Sequence, residues 1–288
     1  MDEQAALALI GDRLLAAGDD CAVVDGQVIT TDMLHDRTDF PDGTTRYTAG
    51  WRAVGASLSD VAAMGAQATA AVAVYGVPEF DAEDLLSFVD GASDVCTAVG
   101  AEYVGGDLDG HDEFTVATTA LGDVEDPVLR SGATPGDAVC VTGTLGRTGV
   151  ALDLFEQGDV ERANDLFRFE PRVAAGVALR PYATAMLDSS DGLARSLHQL
   201  TAASDCGAAV ESPLPIDERV DDVADSDEER RELGLFVGED FELVCTVPEA
   251  DLAAAREAVP CPLHHIGRVT ESGVTLDGEP LPDRGYSH

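Results

Sequence analysis

Three observations predict two mixed domains for this chain, each α/β or α+β. Its 288 residues suffice for two domains of ordinary size. Strand-like and helix-like segments alternate through both halves. A stretch rich in turn formers, EDPVLRSGATPGD, separates the halves and divides the chain into residues 1–126 and 127–288.

The elements follow in order. Residues Glu3 to Ala16 have helical period. Asp25-Gly26, between two apolar runs, predicts a hairpin with positive φ at both turn positions. Counting outward pairs Val24 with Gln27, Ala22 with Ile29, Asp20 with Thr31 and Asp19 with Asp32. YTAGWRAVGASLSDVAAMGA reads as a helix with Trp51, Val54, Leu58 and Val61 on one stripe, stopped by Gly65. ATAAVAVYGVP is a buried strand. DAEDLLSFVDGASDVCTAVG is a helix with Leu85, Phe88, Val89, Ala92, Val95 and Val99 inward. EYVGGD reads as a short strand ending in a glycine turn, and FTVATTALGDV as another strand. In the second half, DAVCVTGTLG is a strand running into a helix near Thr148. GTLGRTG there leaves two readings open, a dinucleotide site, for which a lone glycine spacing is weak support, and a structural strand-to-helix turn, which is preferred. ATAMLDSSDGLARSLHQLTAAS is strand, turn and helix, with Leu193, Leu197 and Leu200 inward. DERVDDVADSDEERREL reads as a solvated insert, and EDFELVCTVP alternates like a strand. CPLHH offers Cys261, His264 and His265, but with no second ligand pair nearby it reads as loop.

Composition narrows the chemistry. The formal charge is -38, from 55 acids against 17 bases, and every base is arginine. Such a surface excludes a nucleic-acid backbone as partner, and it resembles proteins adapted to concentrated salt. Without lysine there is no P-loop and no lysine Schiff base. Phosphate chemistry would rely on metal ions, arginine and backbone N–H groups. No apolar run reaches the ~18 residues of a membrane span. The acidic N-terminus is unlike a signal peptide, and the six scattered cysteines show no CxxC spacing. A cytoplasmic protein with reduced thiols is expected.

Aspartates recur where elements end. Asp20 and Asp32 close the hairpin, Asp107 follows two glycines, and Asp188 and Asp191 lie between a strand and a helix. Asp60 sits inside a helix and off its apolar stripe, an unfavourable place for Asp unless it faces solvent or serves a site. Gathered carboxylates repel, and a hard cation such as Mg²⁺ reverses that sign.

The motifs GDDCAVV, TTDM, ASLSDVAAMGA, GGD, RSGATPGDAVCVTGTLG, LDSSDGL and GEDFELVCTVP occur in one order. In that order the chain resembles the thiamine-monophosphate kinases, in the superfamily of aminoimidazole ribonucleotide synthetase and selenophosphate synthetase. The resemblance covers almost the whole chain. It implies an N-terminal α/β domain that dimerises through its sheets and a C-terminal α+β domain. It implies ATP and several Mg²⁺ ions in a cleft between them, thiamine monophosphate as acceptor, and a homodimer. Carried over by position, the metal candidates are Asp20, Thr30, Thr31, Asp32, Asp60, Asp107, Asp188 and Asp191. Gly106, Arg130 and Ser190 fall where the family contacts ATP; Glu239 and Tyr286 fall where it contacts the thiamine part. Ser190 and Asp191 also precede a helix, whose free N–H groups suit a phosphate. The family's substrate-contacting His is replaced by Asp39, with His35 nearby. GGDL and VGEDFEL stand where the family has GGDT and GGEDYEL.

The implied acceptor is a phosphate monoester, whose second pKa near ~6 leaves it an oxyanion at neutral pH. No general base is needed, and positioning and charge neutralisation carry the reaction. Two alternatives stay open: another ATP-using enzyme of the superfamily, or a non-catalytic nucleotide- or metal-binding protein. The glycine-rich Cys/Sec and Lys segment of selenophosphate synthetases is missing.

Overall fold

The computed structural model describes Ile10, Arg13, Leu14 and residues 18–285. Tyr286 and most of the helix expected over Glu3 to Ala16 lie outside the described residues. β1 (Ala22–Val24) and β2 (Gln27–His35) form the expected hairpin. Asp25 and Gly26 have φ of 50° and 82°, as the two-residue turn requires. Ala22 faces Ile29 and Val24 faces Gln27, but the ladder stops at Ala22. Asp19 and Asp20 therefore do not pair across strands with Asp32 and Thr31. Both reach Arg130 instead, by a backbone bond to Asp19 and a side-chain bond to Asp20.

With β3 (Gln67–Val77), β4 (Glu102–Gly110) and β5 (Thr115–Asp123), the hairpin builds a sheet of order β1-β2-β5-β3-β4. Two helices, Arg46–Ala63 and Ala82–Ala98, cover one face with Val54, Leu58, Val61, Phe88, Ala92 and Val95 buried. They touch backbone to backbone: a Cβ on Gly50 would lie 2.1 Å from the Phe88 carbonyl oxygen, and one on Gly91 2.0 Å from that of Tyr47. Thr45 caps the first helix by accepting from the Thr48 N–H, a contact that contributes about 1 kcal/mol. The other face of the sheet carries exposed Ile29, Met33 and Val74.

β4 corrects one expectation. GGD lies inside a nine-residue strand rather than ending a short one. Gly106 is there for close approach: a Cβ would meet the Ala73 carbonyl oxygen at 1.7 Å. Glycine in a strand marks such contacts as readily as it marks turns.

The second half holds a seven-stranded sheet of order β12-β11-β8-β10-β6-β9-β7. Its strands are β6 (Ala138–Thr142), β7 (Ala185–Asp188), β8 (Gly207–Val210), β9 (Leu243–Val247), β10 (Leu263–Thr270), β11 (Val274–Leu276) and β12 (Glu279–Pro280). Helix Arg147–Gln157 follows β6, and helix Leu193–Ala203 follows β7 with Leu193, Leu197 and Leu200 buried. Three readings change. Leu263, His264 and His265 belong to β10, where they pair with Thr142, Val141 and Cys140. The charged insert folds into a 3₁₀ turn, Glu218–Asp222, and a helix, Asp227–Leu235, because Val220 and Leu235 give it apolar anchors. EDFE is not strand; only Leu243–Val247 is, and it is buried throughout rather than alternating.

The halves share a core in which Val61, Ala62 and Met64 join Val173, Leu179 and Met186. Trp51 Nε1 donates to the Phe169 carbonyl oxygen at 2.5 Å across the junction.

Candidate active site

Three carboxylates from three elements converge. Asp20 precedes β1, Asp60 rides on helix Arg46–Ala63, and Asp188 ends β7. Their ligand oxygens lie within 4.8 Å of one another, and among the described residues they are the only such group of three or more His, Cys, Asp or Glu side chains. Thr30 Oγ1 donates to Asp60 at 2.5 Å, Ser59 Oγ to Asp188 at 2.6 Å and Ser57 Oγ to Asp32 at 2.6 Å. Helix Arg46–Ala63 therefore touches β2 through Ser57 and Asp60, and β7 through Ser59.

Burial pushes the Asp60 carboxyl well above the usual range, with Asp32, Asp188 and Asp20 acting in the same sense. Burial and then Asp20 raise Asp188 to about 7, against the opposing bond from Ser59, the charge of Arg130 and the bond from the Ser190 N–H. Arg130 supplies one positive charge, gripping Asp20 with Nε at 3.2 Å and a terminal nitrogen at 2.7 Å. One guanidinium among so many carboxylates leaves an excess of negative charge. Clustered hard oxygens with hydroxyls behind them are the donor set that Mg²⁺ takes.

The turn after β7 links this cluster to a second group. Ser190 N–H donates to Asp188 at 3.2 Å, and the Ser190 carbonyl accepts from the Glu239 N–H at 2.6 Å. Ser189 N–H donates to the Glu242 carbonyl at 2.8 Å, and its hydroxyl accepts from the Glu242 N–H at 3.1 Å. The segment 239–242 is thereby zipped to the turn ahead of helix Leu193–Ala203.

The other expected residues are placed as follows. Thr30 and Asp32 face the Asp60 helix, while Thr31 points to the opposite face of the sheet, where its hydroxyl donates to the Thr118 carbonyl. Asp107 is exposed on β4 in register with Val74, away from the three-carboxylate group, and accepts from the Leu108 N–H. Gly106 precedes it on the same strand. Asp191 accepts from Gln199 at 3.3 Å. Asp39 is buried and accepts from the His35 N–H and the Thr38 hydroxyl, both at 2.7 Å, which ties it to its own turn. His35 Nδ1 contacts the Thr115 hydroxyl at 3.1 Å.

Sequence reasoning missed the polar residues behind these. Ser57 and Ser59 were legible only as small residues in a helix. Arg52, Arg147 and Arg172 were indistinguishable from surface arginines. Arg172 holds Glu242 with two nitrogens at 2.8 and 2.6 Å, and Arg52 reaches Glu239 at 2.5 Å.

Two mixed halves around clustered aspartates and a strand-to-helix turn are the architecture of the AIR synthase related proteins. Residues 18–124 match the N-terminal domain of that family and residues 134–278 its C-terminal domain. Within that class the chain belongs to the thiamine-monophosphate kinase family. It is 63% identical over 291 residues to the thiamine-monophosphate kinase of Halobacterium salinarum, covering 100% of both chains. It is 32% identical to the crystal structure of thiamine-monophosphate kinase from Stenotrophomonas maltophilia, with a TM-score of 0.82, covering 96% of this chain and 95% of that one. A structure of AaThiL complexed with AMPPCP and TMP is 27% identical with a TM-score of 0.90, covering 100% and 97%.

Proposed function

We propose that this chain transfers the terminal phosphoryl group of ATP to thiamine monophosphate, giving ADP and thiamine diphosphate. The observation that carries the reading is the Asp20, Asp60 and Asp188 cluster joined through Ser190 to Glu239. That arrangement supports reading a cation site beside a phosphate-holding turn and a carboxylate that can take the organic part of the acceptor. The thiamine-monophosphate kinase relatives and the AaThiL complex with AMPPCP, an ATP analogue, support the same reading.

Asp20, Asp60 and Asp188 would hold Mg²⁺, with Asp32 and Thr30 behind them and Asp191 at the turn. Bound there, Mg²⁺ would neutralise phosphate charge. The chain's own residues do the rest. The Ser190 hydroxyl and the N–H groups opening helix Leu193–Ala203 orient phosphate oxygens, and Arg130 adds a guanidinium at the same edge. Glu239 positions the thiamine part. No side chain has to remove a proton, because the acceptor is already ionised.

The uncovered sheet face, where Ile29, Met33 and Val74 are exposed at 36%, 57% and 42%, supports the reading of a homodimer paired through it. Thr31 and Asp107 lie on that face, so their roles belong to the paired state. We place the domain boundary at residues 126/127, between the two sheets, and the protein in the cytoplasm. None of the helices formed by the described residues is long and apolar enough to cross a membrane.

The test is direct. Purified protein in molar KCl, given ATP, Mg²⁺ and thiamine monophosphate, should form thiamine diphosphate and ADP in equal amounts. The chemical step should be nearly flat from about pH 7 upward. ATP consumption only with a different acceptor, or binding without turnover, would overturn the reading.

A further inference from the structure

The helix that carries Asp60 has a second contact with the C-terminal half, two turns earlier. Arg52 is 1% exposed and its guanidinium has no outlet to water. One terminal nitrogen donates to the Phe167 carbonyl at 2.6 Å. The other donates to Glu239 Oε2 at 2.5 Å and to the Glu239 carbonyl at 3.3 Å. Its plane lies 3.6 Å over the Phe167 ring. An arginine clamped by two carbonyls, a carboxylate and a ring has one geometry open to it.

Glu239 is held as firmly. Its φ is +66°, and two residues on Phe241 has φ +54°. Left-handed conformations in residues other than glycine persist where surroundings over-determine them, and they collect at functional sites. Here the surroundings are visible. The Glu239 N–H goes to Ser190, and its carbonyl accepts from the Thr148 hydroxyl at 2.7 Å as well as from Arg52. Asp240 accepts from the N–H groups of Gly146 and Thr148 at the start of helix Arg147–Gln157. Phe241 stacks on Phe169 with centroids 4.1 Å apart. Glu242 is locked by Arg172 and Thr142.

Arg52 and Ser59 are seven residues apart and so share one face of their helix, roughly 10 Å apart along its axis. Ser59 grips Asp188, and Arg52 grips Glu239. We propose that Arg52 is a positioning residue for the acceptor: from one rigid helix face it sets where the Glu239 carboxylate stands relative to the carboxylates that hold the cation. The inference rests on the acceptor role given to Glu239 above. Arg52 takes Oε2 and orients Oε1 toward the cationic or amine-bearing part of the acceptor, touching no reactant itself.

The experiment is steady-state kinetics on the full chain in molar KCl with Mg²⁺, varying each substrate at saturation of the other. Arg52→Gln should lower kcat/KM for thiamine monophosphate roughly 10²-fold, the scale of a displaced substrate contact. KM for ATP should stay within about twofold, which separates misplaced acceptor from general loosening. Glu239→Gln should show a comparable loss. The double variant should be no worse than Glu239→Gln alone, because the two residues act as one unit. Arg52→Lys should recover part of the loss, since an ammonium reaches Oε2 but cannot also hold both carbonyls. Equal losses toward ATP and acceptor, an unchanged KM for the acceptor, or multiplicative losses in the double variant would each overturn the inference. If Arg52→Gln does not fold, the same cycle is run with Arg52→Lys and judged by the same criteria. A wild-type protein that does not phosphorylate thiamine monophosphate would instead overturn the proposed function.

Discussion

Two groups of acids meet at the Asp188–Ser190 turn, and they are built in opposite ways. Asp20, Asp60 and Asp188 are crowded and share one guanidinium, that of Arg130. Glu239, Asp240 and Glu242 are each matched: to Arg52, to two helix N–H groups, and to Arg172. The first group stores repulsion that a cation, as proposed above, would relieve. The second has a specific partner in the chain for each carboxylate, which holds its shape. The difference teaches that carboxylate count alone says little about a group's role; the counter-charge around it says more.

Neutralising Asp60 is the strongest way to test that contrast. Asp60→Asn should cost about 10³-fold in turnover, the upper scale for losing one preorganised electrostatic element. Circular dichroism should show the fold intact. Asp225→Asn, on the exposed part of the charged insert, should leave turnover unchanged and serves as control. Equal activity in both variants would remove Asp60 from the site.

Glu242→Gln attacks the matched group and should act on stability instead. It leaves the half-buried Arg172 without its carboxylate; breaking a fully buried pair costs about 3–5 kcal/mol, and the partial exposure of Arg172 puts the expected loss at or below the lower end. Urea unfolding should show it; a midpoint equal to wild type would mean that the pair is dispensable.

Asp240 adds a pH signature. Burial raises its carboxyl from 3.8 to about 6, despite the opposing bonds from Thr148 and Gly146. A raised acid binds its proton more tightly in the folded state. Its contribution is therefore fully present below the unfolded value near 4 and is lost as pH rises through about 6. The stability difference between wild type and Asp240→Asn should shift by roughly 3 kcal/mol across that window, at 1.36 kcal/mol per unit. A difference that stays flat from pH 4 to 7 would contradict the raised value.

The smallest effect expected is the separation of Mg²⁺ from salt in thermal melts. KCl should raise the melting temperature into the molar range by shortening the screening length from about 10 Å to about 3 Å. Mg²⁺ with ATP should add a further rise at fixed salt. That increment should disappear in Asp60→Asn. Identical melts in low salt without Mg²⁺ and in molar KCl would rule out salt adaptation.

Much of the fold was legible in the sequence, because amphipathic period and turn residues are local. The Arg46–Ala63 helix with Val54, Leu58 and Val61 inward, and the Asp25-Gly26 hairpin, needed no distant partner. The carboxylate cluster was legible because aspartates stood at element ends and in one helix where Asp is unfavourable. The counter-charges of the second group were not. Arg52 and Glu239 are 187 residues apart, and Arg172 and Glu242 are 70 apart. Nothing local distinguishes a buried arginine from an exposed one. The EDFE segment misled for a related reason: its alternation came from residues with four different anchors, not from a strand with two faces.

Trp51 is the only tryptophan in the chain. Its indole nitrogen is bonded to the Phe169 carbonyl, and the Phe169 ring carries Phe241. The protein thus contains a single indole fluorophore, selectable by excitation beyond the tyrosine band and wired to the segment that presents Glu239. Any rearrangement there on ligand entry changes the surroundings of that one indole, so emission wavelength and quenching become a label-free optical readout of acceptor binding, resolvable in real time without a coupled assay.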